Sequence, residues 1–298
     1  MPRATPTRSP RNGVSAALPL DLHNHHRRCG HARGELADYV AHGAATGLTT
    51  LGVADHAPRF ADAHDHPLPG IQMARSEYPR YLAEAFELRE RYAGRLELLV
   101  GVEADFLPGT EATYRAALDA SDLDYVIGSV HEFDDVHVYK PETWTGRDRR
   151  ALFRAYFAHV RAAALSGLFD VLGHFDAVKV FGPDVFGVVA DEIEPTLDAI
   201  ADSGIVVEIN TAGLRKCGEV FPRPDLIARL HARGVAFTFG SDAHAPEELA
   251  YGAAEVARVL DDVGIDTLVS FRARERRVVP WVAARRSLAE ADRMVTQS

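Results

Sequence analysis

The sequence predicts an α/β protein whose parallel strands close into a distorted (β/α)7 TIM-like barrel, with a metal site at the C-terminal mouth. Three observations carry this expectation. Short apolar runs alternate with stretches of helical spacing in seven strand–helix units, the rhythm of a parallel sheet. Metal-type side chains stand at the ends of strands one, two, three, four, five and seven. An open sheet would string them along one edge, whereas a barrel gathers them at one mouth, where barrel active sites lie.

The first strand is the apolar run Leu18-Pro19-Leu20, followed directly by Asp21-Leu22-His23-Asn24-His25-His26-Arg27-Arg28-Cys29-Gly30-His31. Residues two apart on a strand share a side, so His23 and His25 project together and Asn24 faces away. Residues 35–47 have helical spacing, with Leu36, Tyr39, Val40 and Ala44 on one face and Gly47 as the stop. The β-branched run 49–54 ends at Asp55-His56-Ala57-Pro58, and residues 57–75, rich in proline, read as a long lid-like loop. A helix over 77–92 leads to the strand 96–102 and Glu103; a short helix over 110–120 leads to the strand 123–130 and His131. The helix 149–165, closed by Gly167, precedes the strand 169–173 and His174, and the helix 188–203 precedes the strand 205–209 and Asn210. Last come a helix over 224–233, the strand 235–240 with Ser241-Asp242-Ala243-His244, and an amphipathic helix over 248–263.

The bulk composition agrees with one barrel over residues 18–281, preceded by a disordered leader (1–17) and followed by a tail (282–298). The chain has 298 residues, 47% of them hydrophobic, enough for a large core. A net charge of −10 argues against nucleic acid or an anionic membrane surface as partner. Two cysteines, Cys29 and Cys217, make no disulfide framework, and no run reaches the ~18 apolar residues of a membrane span. A cytoplasmic protein is expected.

The candidate metal ligands are His23, His25, His31, His56, Glu103, His131, His174, Asp242 and His244. A lone histidine after a strand is ordinarily structural, but nine such residues, nearly all at corresponding positions of repeated units, are not coincidence. Glu103 ends the run Leu98-Leu99-Val100-Gly101-Val102, where a carboxylate needs a strong partner. Gly240-Ser241-Asp242-Ala243-His244 again spaces two ligand types two apart. Mixed imidazole and carboxylate donors suit Zn, Fe or Mn better than Mg. His42, His159 and His231 fall inside helices and read as surface or packing residues; His64 and His66 read as solvated loop residues. His137 and Cys29 are open between packing and the site.

These motifs together, with Gly101-Val102-Glu103-Ala104-Asp105 and Gly128-Ser129-Val130-His131, resemble the polymerase-and-histidinol-phosphatase (PHP) superfamily over nearly the whole folded part. Within it, Cys29-Gly30-His31 and Glu208-Ile209-Asn210-Thr211-Ala212-Gly213-Leu214-Arg215-Lys216 are similar to the monofunctional histidinol-phosphatases. The resemblance implies a site for two or three divalent transition metal ions. One ion would take His23, His25, Glu103 and Asp242; a second would share Glu103 and take His131 and His174; a third would take His31, His56 and His244. The implied reaction is hydrolysis of L-histidinol phosphate to L-histidinol and phosphate by metal-activated water, a step of histidine biosynthesis. Glu103, Asp242 and His244 would be catalytic, and Arg215, Lys216 and Lys179 would meet the phosphate of this small substrate. No Cys-x5-Arg loop or Asp-x-Asp motif offers a phosphoenzyme route. The alternatives are a related phosphoesterase acting on nucleotides or another small phosphate ester, and a non-catalytic metal-binding regulatory protein.

Overall fold

A computed structural model describes residues 18–182 and 185–281; the expected leader and tail lie outside the described residues. Seven strands form one sheet: β1 (Leu20–Asp21), β2 (Thr50–Val53), β3 (Glu97–Asp105), β4 (Tyr125–Ser129), β5 (Val171–Leu172), β6 (Val206–Asn210) and β7 (Phe237–Gly240). Neighbours in the chain are neighbours in the sheet, and every pairing within it is parallel. The ends meet. The Leu22 amide donates to Phe239 O (2.9 Å), Asp242 N to His23 O (2.8 Å) and His25 N to Ala243 O (2.8 Å), so the sheet closes into the expected barrel. The buried Asp21 carboxylate locks this seam, accepting the Ser241 and Ala250 amides at 2.9 and 2.8 Å.

Helices α1 (Leu36–Ala45), α2 (Tyr78–Tyr92), α3 (Glu111–Asp119), α4 (Arg149–Leu165), α5 (Ala190–Ser203), α6 (Ala212–Cys217), α7 (Pro224–His231) and α8 (Ala253–Val263) fill the connections. Each of the longer ones buries one apolar stripe, as Leu152, Phe153, Tyr156, Phe157 and Val160 show in α4. The last helix begins at Ala253 rather than at Glu248, because Gly252 sits at φ +71° and interrupts the helical path. A hairpin absent from the expected rhythm, β8 (Thr267–Arg272) with β9 (Glu275–Pro280), follows α8.

The barrel interior is packed. Tyr125 is fully buried, and its hydroxyl donates to Leu22 O at 2.6 Å. A Cβ at Gly52 or Gly101 would lie 2.2 or 2.6 Å from this side chain, so the two glycines make its space. Phe271 of β8 stacks on the same ring with centroids 6.0 Å apart. Tyr125→Ala should lower stability by about 3–5 kcal/mol through the cavity it leaves. Tyr125→Phe should cost only about 1 kcal/mol for the lost hydrogen bond. Urea unfolding of both variants separates the two contributions, and equal losses would contradict the packing argument. Among the described residues, no helix is long and apolar enough to cross a membrane.

Candidate metal centre

The strand ends bring all nine predicted ligands to one place, and Glu103 lies at its middle. Residue 103 falls inside β3, which runs three residues further than expected, to Asp105. Glu103 Oε1 is 3.1 Å from His174 Nε2 and 3.6 Å from His131 Nε2. Oε2 is 2.8 Å from His56 Nδ1, 3.5 Å from His23 Nε2 and 3.6 Å from His25 Nε2. Although buried and surrounded by imidazoles, Oε2 makes no hydrogen bond. A buried carboxylate oxygen facing several ring nitrogens in this way fits a set of metal ligands.

Three overlapping groups have donor atoms within 4.8 Å of one another: His23, His25 and Asp242; His56, Glu103 and His131; and His25, His56 and His244. This grouping differs in detail from the one the resemblance implies. His25, not His31, completes the group with His56 and His244, while the His31 ring lies beside it, with centroids 4.8 Å from His244 and 5.2 Å from His56. His174 joins through its contact with Glu103. Asp242 Oδ1 is 3.0 Å from His25 Nε2, and the residue holds φ +52°, a left-handed conformation that aspartate tolerates better than most residues.

The charge balance also calls for metal. Burial opposes the charge of Glu103, yet His56, His131 and His23 hold its carboxyl well below the usual range. Burial opposes charge on His25 and His131 too. Asp242 and Asp55 nevertheless push His25 up to about 9, and Glu103 and Asp105 push His131 up to about 9. Protons therefore supply the positive charge that buried carboxylates require, and cations compete for the same sites. Zinc uptake by chelator-treated protein should release protons, and its affinity should fall as pH is lowered. Calorimetry in buffers of different ionisation enthalpy measures both, and pH-independent uptake without proton release would contradict this centre.

Beneath the ligands lies a layer of carboxylates that sequence reasoning did not single out as site residues. Glu208 Oε1 is 2.6 Å from His23 Nδ1, Asp105 Oδ1 is 2.7 Å from His131 Nδ1, and Asp55 Oδ1 is 3.4 Å from His25 Nδ1. Such partners orient an imidazole and raise its basicity toward metal. The space is tight: a Cβ on Gly240 would stand 2.0 Å from Glu208 Oε1. The sequence signal was present, since Asp55 and Asp105 each sit within two residues of a ligand.

Above the centre opens a cavity of about 530 Å³, lined among others by His31, His56, Glu103, His131, Asp242 and His244. Arg215 and Lys216, carried by α6, line its wall together with Tyr139, Lys140 and His137. The Arg215 guanidinium packs over Tyr251 with 4.7 Å to the ring centroid and donates to Asp242 O at 3.3 Å. Lys216 lies over Tyr139. His137 reaches the cavity from a small hairpin, Glu132–Phe133 with Val136–His137.

Lys179 is a correction. Its buried amine is held 3.2 Å from both Asp176 Oδ2 and Glu219 Oε2 and donates to Val220 O, and it does not line the cavity. The 3-10 turn Ala177–Phe181 turns it toward Asp176 at i,i+3 spacing, away from the mouth. Cys29 packs in its loop, its thiol donating to His26 O at 3.1 Å. The loop 57–75 is pinned at several points, including His66 Nε2 on Gln72 O and Ser76 on Asp65, and it contributes Gly70 and Ile71 to the cavity wall.

Comparison with known proteins shows the family and the fold. The PHP domain model matches residues 21–212. A probable histidinol-phosphatase of Deinococcus radiodurans is 40% identical over 265 residues, covering 86% of this chain and 97% of that protein. The histidinol-phosphatase of Bacillus subtilis is 25% identical over 258 residues, covering 78% of this chain and 95% of its own. Among solved structures, a histidinol phosphate phosphatase of Lactococcus lactis, complexed with Zn, L-histidinol and phosphate, superposes with TM-score 0.74 at 21% identity, covering 87% of this chain and 98% of that one.

Proposed function

Since this chain belongs to the PHP family, we propose that it is a metal-dependent phosphoric monoester hydrolase that converts L-histidinol phosphate to L-histidinol and phosphate. The observation that carries the chemistry is the convergence of nine ligand-type residues, with Glu103 at their middle, beneath a cavity whose wall carries Arg215 and Lys216. The substrate follows from relatives of nearly equal length, of which the chain covers 97% and 95%.

In this reading, residues 18–281 form the catalytic unit. His23, His25, His31, His56, Glu103, His131, His174, Asp242 and His244 hold two or three ions such as Zn, Fe or Mn. When bound, such ions supply Lewis acidity to the phosphoryl group and lower the pKa of water at the centre. The protein does the rest. Glu103 faces both ends of the cluster and would offset the repulsion between cations held there. Glu208 and Asp105 fix the ring orientations of His23 and His131, and Asp55 adds a negative charge beside His25. Arg215 presents a planar fork to two phosphate oxygens, and Lys216 adds a second positive charge. Asp242 and His244 stand at the boundary between the metal layer and the open cavity, next to where the ester must lie.

The test is phosphate release by metal-loaded protein from L-histidinol phosphate, mononucleotides and short single-stranded DNA. The expected result is a kcat/KM for L-histidinol phosphate at least tenfold above the others. A nucleotide ahead of it would replace the substrate, and no release from any ester would replace the enzyme by a metal-binding protein.

A further inference from the structure

The cavity contains a carboxylate that the metal centre does not use. Its lining holds three carboxylates, Glu103, Asp242 and Glu248, and the first two belong to the ligand cluster. Glu248 ends the 3-10 turn Pro246–Glu248, four residues beyond His244. Its Oε2 accepts the His244 amide at 2.9 Å, which fixes the group beside the metal layer. The same oxygen is 3.7 Å from Arg215 Nη2, too far for a hydrogen bond. Oε1 has no hydrogen-bond partner among the described residues, and the side chain is 33% exposed.

A carboxylate beside a phosphate-binding guanidinium is unfavourable for an anion alone, because it repels the charge that Arg215 attracts. It becomes favourable when the ligand carries both signs close together. L-Histidinol phosphate does: its ammonium stands on the carbon next to the one that bears the ester oxygen. We propose that Glu248 is the residue that recognises this ammonium, Oε1 accepting its hydrogen bond while Arg215 binds the phosphate, so that the pair reads a β-ammonium phosphate ester. This inference rests on the proposed function and names how that site selects its substrate.

The test compares L-histidinol phosphate with 3-(imidazol-4-yl)propyl phosphate, identical except for the missing amine, on the wild-type protein and on Glu248→Gln. Glutamine keeps an acceptor for the His244 amide but removes the charge. Charge-assisted hydrogen bonds of this kind are worth about 10- to 100-fold in discrimination. The wild type should favour the amine by that factor in kcat/KM. Glu248→Gln should lose most of the preference through its effect on L-histidinol phosphate alone, with metal content unchanged. Binding of L-histidinol, read by calorimetry, should weaken by a similar factor. Equal losses on both esters would show that Glu248 acts through His244 or Arg215 and would overturn the proposal, as would an unchanged preference. Wild-type protein that hydrolyses both esters equally well overturns the role of Glu248 and leaves the proposed function standing. Wild-type protein inert toward L-histidinol phosphate overturns both.

Discussion

Glu103→Gln should lower kcat by at least about 10³-fold and remove most of the bound metal, a larger loss than any single histidine substitution. Cation stabilisation of a phosphoryl transition state is worth several kcal/mol, and each 1.36 kcal/mol is a factor of ten. A histidine serves one ion, whereas the two oxygens of Glu103 face His174 and His131 on one side and His56, His23 and His25 on the other. Glutamine preserves the volume and one acceptor but turns the other atom into an N–H₂ donor aimed at ring nitrogens. It also removes the negative charge that would offset the repulsion between bound cations. Elemental analysis together with steady-state kinetics checks this result, and circular dichroism verifies folding. Near-normal activity and metal content in the variant would overturn the central place of Glu103 in the donor cluster.

The legibility of this site has a physical pattern. The convergence of the candidate ligands was readable wherever they follow an apolar run, because the hydrophobic residues fix the strand and with it the direction of the side chain at or near its end. His23, His56, Glu103, His131, His174 and Asp242 all follow that rule. Lys179 did not, because its position depends on a 3-10 turn whose i,i+3 partner, Asp176, is buried. The hairpin of β8 and β9 was missed for a related reason. Its turn residues Ala273 and Arg274 hold φ +49° and +66°, conformations that ordinarily advertise themselves as Asn-Gly or Asp-Gly. The short hairpin that delivers His137 to the cavity turns on Asp134 and Asp135 at φ +45° and +60°, again without glycine. α6, with six residues including Gly213, has no periodicity to read. It nonetheless places Arg215 and Lys216 on the cavity wall, where their position after strand six had suggested they would lie.

Arg215→Ala and Asp242→Ala should fail in different ways, and the contrast separates substrate binding from metal binding. Asp242 Oδ1 lies 3.0 Å from His25 Nε2 and 3.9 Å from His23 Nε2, inside one of the three donor groups. Burial opposes its charge, yet His23, His25 and His244 hold its carboxyl well below the usual range. Removing it leaves two buried imidazoles facing each other without their counter-charge, so metal and activity should be lost together. Arg215 touches this layer only through Asp242 O at 3.3 Å, a backbone contact that an alanine at position 215 does not need. Its guanidinium is half-buried in the cavity wall over Tyr251, stiffened by stacking and without a carboxylate in hydrogen-bond range. Arg215→Ala should therefore keep its metal and lose about 10- to 100-fold in kcat/KM, the worth of one charge-assisted phosphate contact. Arg215→Lys should recover only part of the loss, because an ammonium cannot reproduce the two-pronged fork. Kinetics and elemental analysis of all three variants decide the matter. Loss of metal in Arg215→Ala would make that residue a support of the metal layer, and unchanged kinetics would return it to ordinary surface solvation.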